Sequence, residues 1–194
     1  MTDSAVSKMS KRDALVGAAT QLLVERGLDA PTIADIAEHA QVPPGNVYYY
    51  FKTRDELIEA VIDARADEVR ALLAGLDQRP DPRARLTGLI RNWSSNRDHV
   101  VSHGCPIGSF TSELNKRNRG LDERAAGLLA TIRDWITTQF RLLGQPHPRD
   151  LAHRMLSSIQ GSALLTNTFR DPTILAREMR YLESWIKDLP ANDK

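Results

Sequence analysis

A single cysteine, Cys105, is all the thiol this 194-residue chain carries. One cysteine makes no intrachain disulfide, which excludes a small secreted domain stapled by bridges. No apolar run approaches the roughly 18 residues that a membrane-crossing helix needs. The opening stretch, MTDSAVSKMSKRD, is polar and leads into no apolar h-region. The expectation is therefore a cytoplasmic protein without membrane association. Charge excess is missing too: 26 Lys and Arg face 25 Asp and Glu, a net charge of +1. Bulk charge thus names no partner. Residues 1 to 54 show no marked surplus of cations either, so any nucleic-acid binding must rest on where charges are placed.

Catalytic signatures are equally scarce. No phosphate loop, zinc-hydrolase motif or dinucleotide fingerprint occurs, and no cofactor is expected. A Cys–His nucleophile built on Cys105 and His103, two residues apart, has poor geometry on a helical scaffold. His99, His103 and Cys105 have spacing compatible with a metal but lack a fourth ligand, so no metal site is assigned. The chain reads as a non-enzyme.

Strand-like alternation of useful length is absent, and the hydrophobic period is helical almost throughout. Leu15, Ala18, Ala19, Leu22 and Leu23 define a first helix, with a Ser10-x-x-Asp13 start and Gly27 as its stop. Ile33, Ile36, Ala37 and Ala40 define a second, roughly 32 to 40, led by Thr32 as N-cap. Pro43-Pro44 fits only a helix start, and Val47, Tyr50 and Phe51 then share the buried face of a third. Thr53-x-x-Glu56 is a capping box that opens a long fourth helix. Beyond it, proline-rich joints at 77–82, 102–106, 144–148 and 171–172 separate further helical stripes. The expected fold is all-α with about nine helices. Residues 1–54 form a three-helix helix-turn-helix domain, and 55–194 a helical ligand-binding and dimerisation bundle.

Aromatic residues make up only 6% of the chain, yet three of its four tyrosines fall in "VPPGNVYYYFKTRDEL", residues 42–57. With Val47, Tyr50 and Phe51 turned inward, Gly45, Asn46, Tyr48 and Tyr49 face outward from the second helix of a helix-turn-helix, the one that enters the major groove. Glycine allows close backbone approach, an asparagine amide matches an adenine edge, and tyrosine hydroxyls donate to phosphate oxygens. Thr32 offers a hydroxyl and a helix start to another phosphate. Lys52 and Arg54 supply the flanking cations. The bland alternative makes Tyr48 and Tyr49 core or interface rings and the cations a solvated rim.

The segment from Lys11 to Ile62 resembles the DNA-binding region of TetR-type transcriptional regulators. The resemblance rests on L-x-x-E-R-G-x-x-A-x-T, I-A-x-x-A, G-x-x-Y-x-Y-F and T-R-D-E-L, each at the family's spacing. It implies a homodimer that binds palindromic double-stranded operator DNA, most simply a repressor released by a small-molecule inducer. Thr32, Gly45, Asn46, Tyr48, Tyr49 and Arg54 fall on the family's DNA-contacting positions. Two departures stand out: Pro43-Pro44 replaces a common hydroxyl-plus-cation pair, and Asn46 stands where Thr or Ser is commoner.

The resemblance also implies that the last two long helices, about 148–168 and 172–188, pair with their copies. Ser157, Gly161 and Leu164 on the first and Tyr181 and Trp185 on the second are the candidate dimer residues. Trp93, Phe110, Trp135, Phe140 and Met155 are candidates to line an apolar ligand cavity, although any bundle core of this length contains such residues. Cys105 joins them. It begins a helix at Gly104-Cys105-Pro106, where backbone N–H groups favour a thiolate, and G-C-P-I-G-S-F-T-S-E-L resembles a motif in a subset of these regulators, some of which sense electrophiles or oxidants. An alternative function is therefore an electrophile- or oxidant-sensing regulator acting through Cys105. From another class, a helical protein-interaction module without DNA binding explains the bundle but not the Thr32, Tyr48, Tyr49 and Arg54 constellation.

Overall fold

The computed structural model describes residues 10–116 and 120–190. Among the described residues there are ten helices and no strand, so the all-α expectation holds. The helices are α1 (Lys11–Arg26), α2 (Ile33–His39), α3 (Pro44–Tyr50), α4 (Arg54–Asp77), α5 (Pro82–Ser95), α6 (Arg97–His103), α7 (Pro106–Asn115), α8 (Asp122–Leu142), α9 (Pro148–Phe169) and α10 (Pro172–Asp188). Against the nine or so expected, the additional segment is α6. Asn96, outside helical geometry at φ −94° and ψ 12°, separates it from α5.

The chain divides into two compact units, residues 1–64 and 65–194. The first contains α1 to α3 and the beginning of α4, so the division falls within α4 rather than at its start. Each short helix owes its ends to the local sequence. Ser10 accepts from the Asp13 backbone N–H at 3.1 Å and starts α1, and Gly27 at φ +79° ends it, a conformation that only glycine adopts without strain. Thr32 and Asp35 form a reciprocal capping box at α2. Between α2 and α3, Gln41 takes a left-handed conformation and the Val42 N–H reaches back to the Ala37 carbonyl at 2.9 Å, which closes the turn. Val42 itself is buried and anchors it. Pro44 occupies the first position of α3, where its missing N–H costs nothing.

In the second unit, prolines likewise stand in the first turn of α5, α7, α9 and α10. The proline-rich joints of the sequence are therefore helix starts. Inward faces of α5, α8, α9 and α10, with Leu86, Ile90, Ile136, Met155, Ile159 and Met179 at their centre, make one continuous core. Across it Arg83 of α5 donates to the Ile186, Lys187 and Leu189 carbonyls at the end of α10, satisfying groups that a helix C-terminus leaves unpaired.

Candidate functional site

The recognition helix is held by few residues. Val47 is fully buried and Phe51, one turn on, is nearly so, with the Arg12 guanidinium of α1 lying 5.2 Å from the Phe51 ring centroid. Tyr50 departs from the expectation. It is half-buried, and its ring meets that of Tyr49 edge-on at 5.0 Å. In a seven-residue helix the i, i+4 pair Val47 and Phe51 fills the inward stripe, and position 50 falls at its margin.

Tyr48 and Tyr49 are 58% and 76% exposed, too open for core rings. Neither hydroxyl has a partner among the described residues, nor does the Asn46 side-chain amide. Gly45 is unobstructed. A Cβ added there meets nothing within 4 Å. No packing among the described residues requires glycine at this position, the second of α3. Lys52 donates from Nζ to the Tyr48 carbonyl at 2.8 Å, so its charge sits over the C-terminal end of α3 while remaining exposed.

Two of the sequence-assigned contacts have other duties. The Thr32 hydroxyl accepts from the Asp35 backbone N–H at 3.1 Å and donates to the Asp35 carboxylate at 2.6 Å. The hydroxyl's bond first, and then one from the Thr32 backbone N–H at 2.7 Å, hold the Asp35 carboxyl below its ordinary pKa. The start of α2 thus already carries a carboxylate. Arg54 turns inward: its two terminal nitrogens donate to the Pro31 and Leu28 carbonyls, each at 2.6 Å. It braces the loop that delivers α2 against the first turn of α4. Thr53 caps α4 as expected, accepting from the Glu56 N–H at 3.1 Å, but the Glu56 carboxylate accepts from the Lys52 N–H at 2.7 Å and not from that of Thr53, so the expected box is only half formed.

In the second unit a cavity of about 250 Å³ is walled by α4, α5, α6, α7 and α8. It brings together only Trp93 and Cys105 of the six ligand candidates. Val69, Leu72, Val100, Ile107 and Ile132 complete its apolar wall, positions that no aromatic or polar signal marks in the sequence. Phe110, Phe140 and Met155 are buried core residues outside this lining, and the half-buried Trp135 spends its indole N–H on Asp77 at 2.9 Å. Cys105 is buried, caps α7 by accepting from the Gly108 N–H at 3.4 Å, and also borders a polar cleft with Ser109, Gln160 and Asn167. No group of three metal-ligating side chains occurs among the described residues, and none of their helices is long and apolar enough to cross a membrane.

Of the dimer candidates, Ser157 and Gly161 are exposed, and Leu164 and Tyr181 are 66% and 63% exposed. Ser157, Gly161 and Leu164 stand at i, i+4 and i+7 and share one face of α9. Leu165 and Phe169 add to the exposed apolar residues of that helix. Trp185 is engaged within the subunit, with its ring 5.5 Å from Phe140 and under the Arg154 guanidinium at 5.1 Å.

A two-helix motif that turns its second helix's rings, amide and glycine to solvent defines a helix-turn-helix DNA-binding protein. Residues 15–61 match the model for bacterial regulatory proteins of the tetR family, and residues 82–180 match that for the C-terminal domain of LmrA/YxaF-like transcriptional regulators. An uncharacterized HTH-type transcriptional regulator in the lacX 3' region of Lactococcus lactis is 27% identical over 180 residues, covering 89% of this chain and 91% of that protein. The HTH-type transcriptional repressor KstR2 of Rhodococcus jostii is 31% identical over 132 residues, covering 61% and 65%. In fold, a TetR transcriptional regulator from Legionella pneumophila superposes with a TM-score of 0.84 at 18% identity, covering 93% of this chain and 99% of the other. The chain belongs to the TetR family and is a DNA-binding transcriptional regulator.

Proposed function

We propose that the protein acts as a homodimeric repressor that binds a palindromic operator through α3 and is released by a small molecule entering the second unit. The observation that carries the DNA-binding surface is the outward set on α3: an unobstructed Gly45, an unpartnered Asn46 amide and two exposed tyrosine hydroxyls. In this reading Asn46 reads a base edge, Tyr48 and Tyr49 hold phosphates, and Lys52 adds a nearby charge. Thr32 approaches the backbone only as a capped helix start. Arg54 serves by positioning, because both ends of its guanidinium are already bonded to carbonyls.

Dimerisation is supported by the exposed Leu164, Phe169 and Tyr181 on α9 and α10 beside the small Ser157 and Gly161. Apolar residues of this size favour burial against a second copy. Repression is the sign of regulation in the name of KstR2, one of the similar proteins. For release, α4 is the natural lever. The helix begins among the residues of the first unit, and its later residues Arg65, Glu68, Val69 and Leu72 line the cavity. A ligand there shifts α4 and changes the separation of the two recognition helices, which must match half-sites about 34–36 Å apart. A second reading makes Cys105 the sensor, favoured by its place in the wall of both the cavity and the polar cleft.

Sequencing DNA fragments selected by the purified protein tests the proposal. A palindromic or near-palindromic consensus is expected. Bound fragments that share no symmetric sequence contradict it.

A further inference from the structure

The cavity's chemistry narrows what enters it, granting the reading above that it is the effector site. We infer that it takes a small uncharged molecule, largely apolar, that carries one hydrogen-bond acceptor such as a ketone, ester or ether oxygen, which the Trp93 indole N–H binds.

Volume sets the size. Benzene fills an engineered cavity of about 150 Å³, so about 250 Å³ takes a molecule of roughly ten non-hydrogen atoms by proportion. Charge sets the class. Arg65 and Glu68 are the charged residues in the lining, and they already pair at 2.8 Å. The pair is neutral overall, so the lining offers an ion no surplus charge of either sign. An uncharged ligand needs none, and the aliphatic walls favour it.

Trp93 supplies the polar anchor. It is 7% exposed and lines the cavity, yet its N–H has no partner among the described residues. The nitrogen keeps some accessible surface: among the described residues, the enclosed unpartnered side-chain atoms are Thr20 Oγ1 and Gln160 Nε2. The Trp93 ring borders the cavity, and a buried donor gains most from a partner where water is scarce. Asn92 and Asn96 also border the cavity, and one Asn96 amide hydrogen is spent on the Asn92 carbonyl at 2.8 Å, so the Trp93→Phe comparison decides which donor the ligand uses.

Calorimetric titration of the full-length protein with four probes of nearly equal size tests this: acetophenone, isopropylbenzene, benzoate and benzylammonium. Acetophenone is expected to bind about fivefold more tightly than isopropylbenzene, the worth of one net hydrogen bond, with the two ions weakest. In Trp93→Phe, which keeps a ring and removes the donor, the ketone and hydrocarbon should bind alike. Benzoate or benzylammonium binding as tightly as acetophenone, or no binding by any probe, overturns the inference. So does a ketone preference that survives in a folded Trp93→Phe. The wild-type comparison stands alone should that variant fail to fold. Operator affinity measured with saturating acetophenone separates the two claims: binding without release leaves the ligand class standing and contradicts the release mechanism.

Discussion

Replacing Arg54 separates a brace from a DNA contact. In the structure its guanidinium bonds the Leu28 and Pro31 carbonyls at 2.6 Å each, across 26 and 23 residues of chain. These charge-assisted bonds are half-buried, and each is worth about 1.5 kcal/mol at the lower end of the usual range. Arg54→Ala therefore destabilises the first unit by about 3 kcal/mol, the two bonds together. In a unit of this size each kcal/mol moves the melting temperature by about 4–8 °C, so the loss exceeds about 10 °C. Arg54→Lys, a point charge without the fork, recovers about half of this. The assay pairs thermal unfolding with operator binding at several salt concentrations. If Arg54 is a brace, its replacement changes stability and leaves the slope of log affinity against log salt unchanged where the variant is folded. If it neutralises a phosphate, its replacement makes that slope shallower by about 0.9. A variant that melts like the wild type but shows the shallower slope refutes the bracing role and restores Arg54 to the DNA-contacting set.

Tyr48→Phe and Tyr49→Phe are expected to weaken operator binding by about 1 kcal/mol each with unchanged melting, whereas Phe51→Ala costs about 3–5 kcal/mol of stability; calorimetry beside anisotropy titration checks both. Leu164→Arg on the exposed face of α9 should turn a dimer into a monomer in sedimentation without unfolding it, and a dimer that persists moves the interface elsewhere. For Asp35, whose folded pKa is depressed, the stabilisation is fully present above the ordinary carboxylate pKa and lost as pH falls through the lower folded value. Wild type and Asp35→Asn should thus differ in melting temperature at pH 6, with the gap closing as pH falls below the ordinary carboxylate range, and a constant gap contradicts the capping role. On the cysteine reading, mild oxidant or electrophile releases wild-type protein from DNA and spares Cys105→Ser; equal behaviour of the two leaves Cys105 a structural cap.

Most helix starts were legible because they are written in adjacent residues, Ser10 with Asp13, Thr32 before Ile33, Thr53 with Glu56, and the prolines, whereas α6 starts at Arg97 without a side-chain cap and left no such mark. The inward stripe of α3 was legible for Val47 and Phe51 but not for Tyr50, since periodicity gives a direction and not the width of the core that a seven-residue helix meets. Arg54's role was hidden because its partners are backbone carbonyls more than twenty residues earlier, which carry no side-chain signature. The cavity was the least legible. Its apolar wall is built of ordinary aliphatic residues such as Val69, Leu72 and Ile132, indistinguishable in sequence from the core that holds Phe140 and Met155. Whether an apolar side chain borders a void or another side chain depends on the packing of five helices, and helical period does not encode that.

The central claim, operator binding by a dimer through α3, is tested most directly by one anisotropy titration. The selected palindrome and a scrambled duplex of equal length are titrated with wild-type protein and with Asn46→Ala across a range of salt. The account predicts that log affinity falls linearly with log salt and that the palindrome is preferred. It also predicts that Asn46→Ala narrows that preference by about 1–3 kcal/mol per half-site. Equal affinity of wild type for both duplexes, or a preference that Asn46→Ala leaves intact, contradicts it.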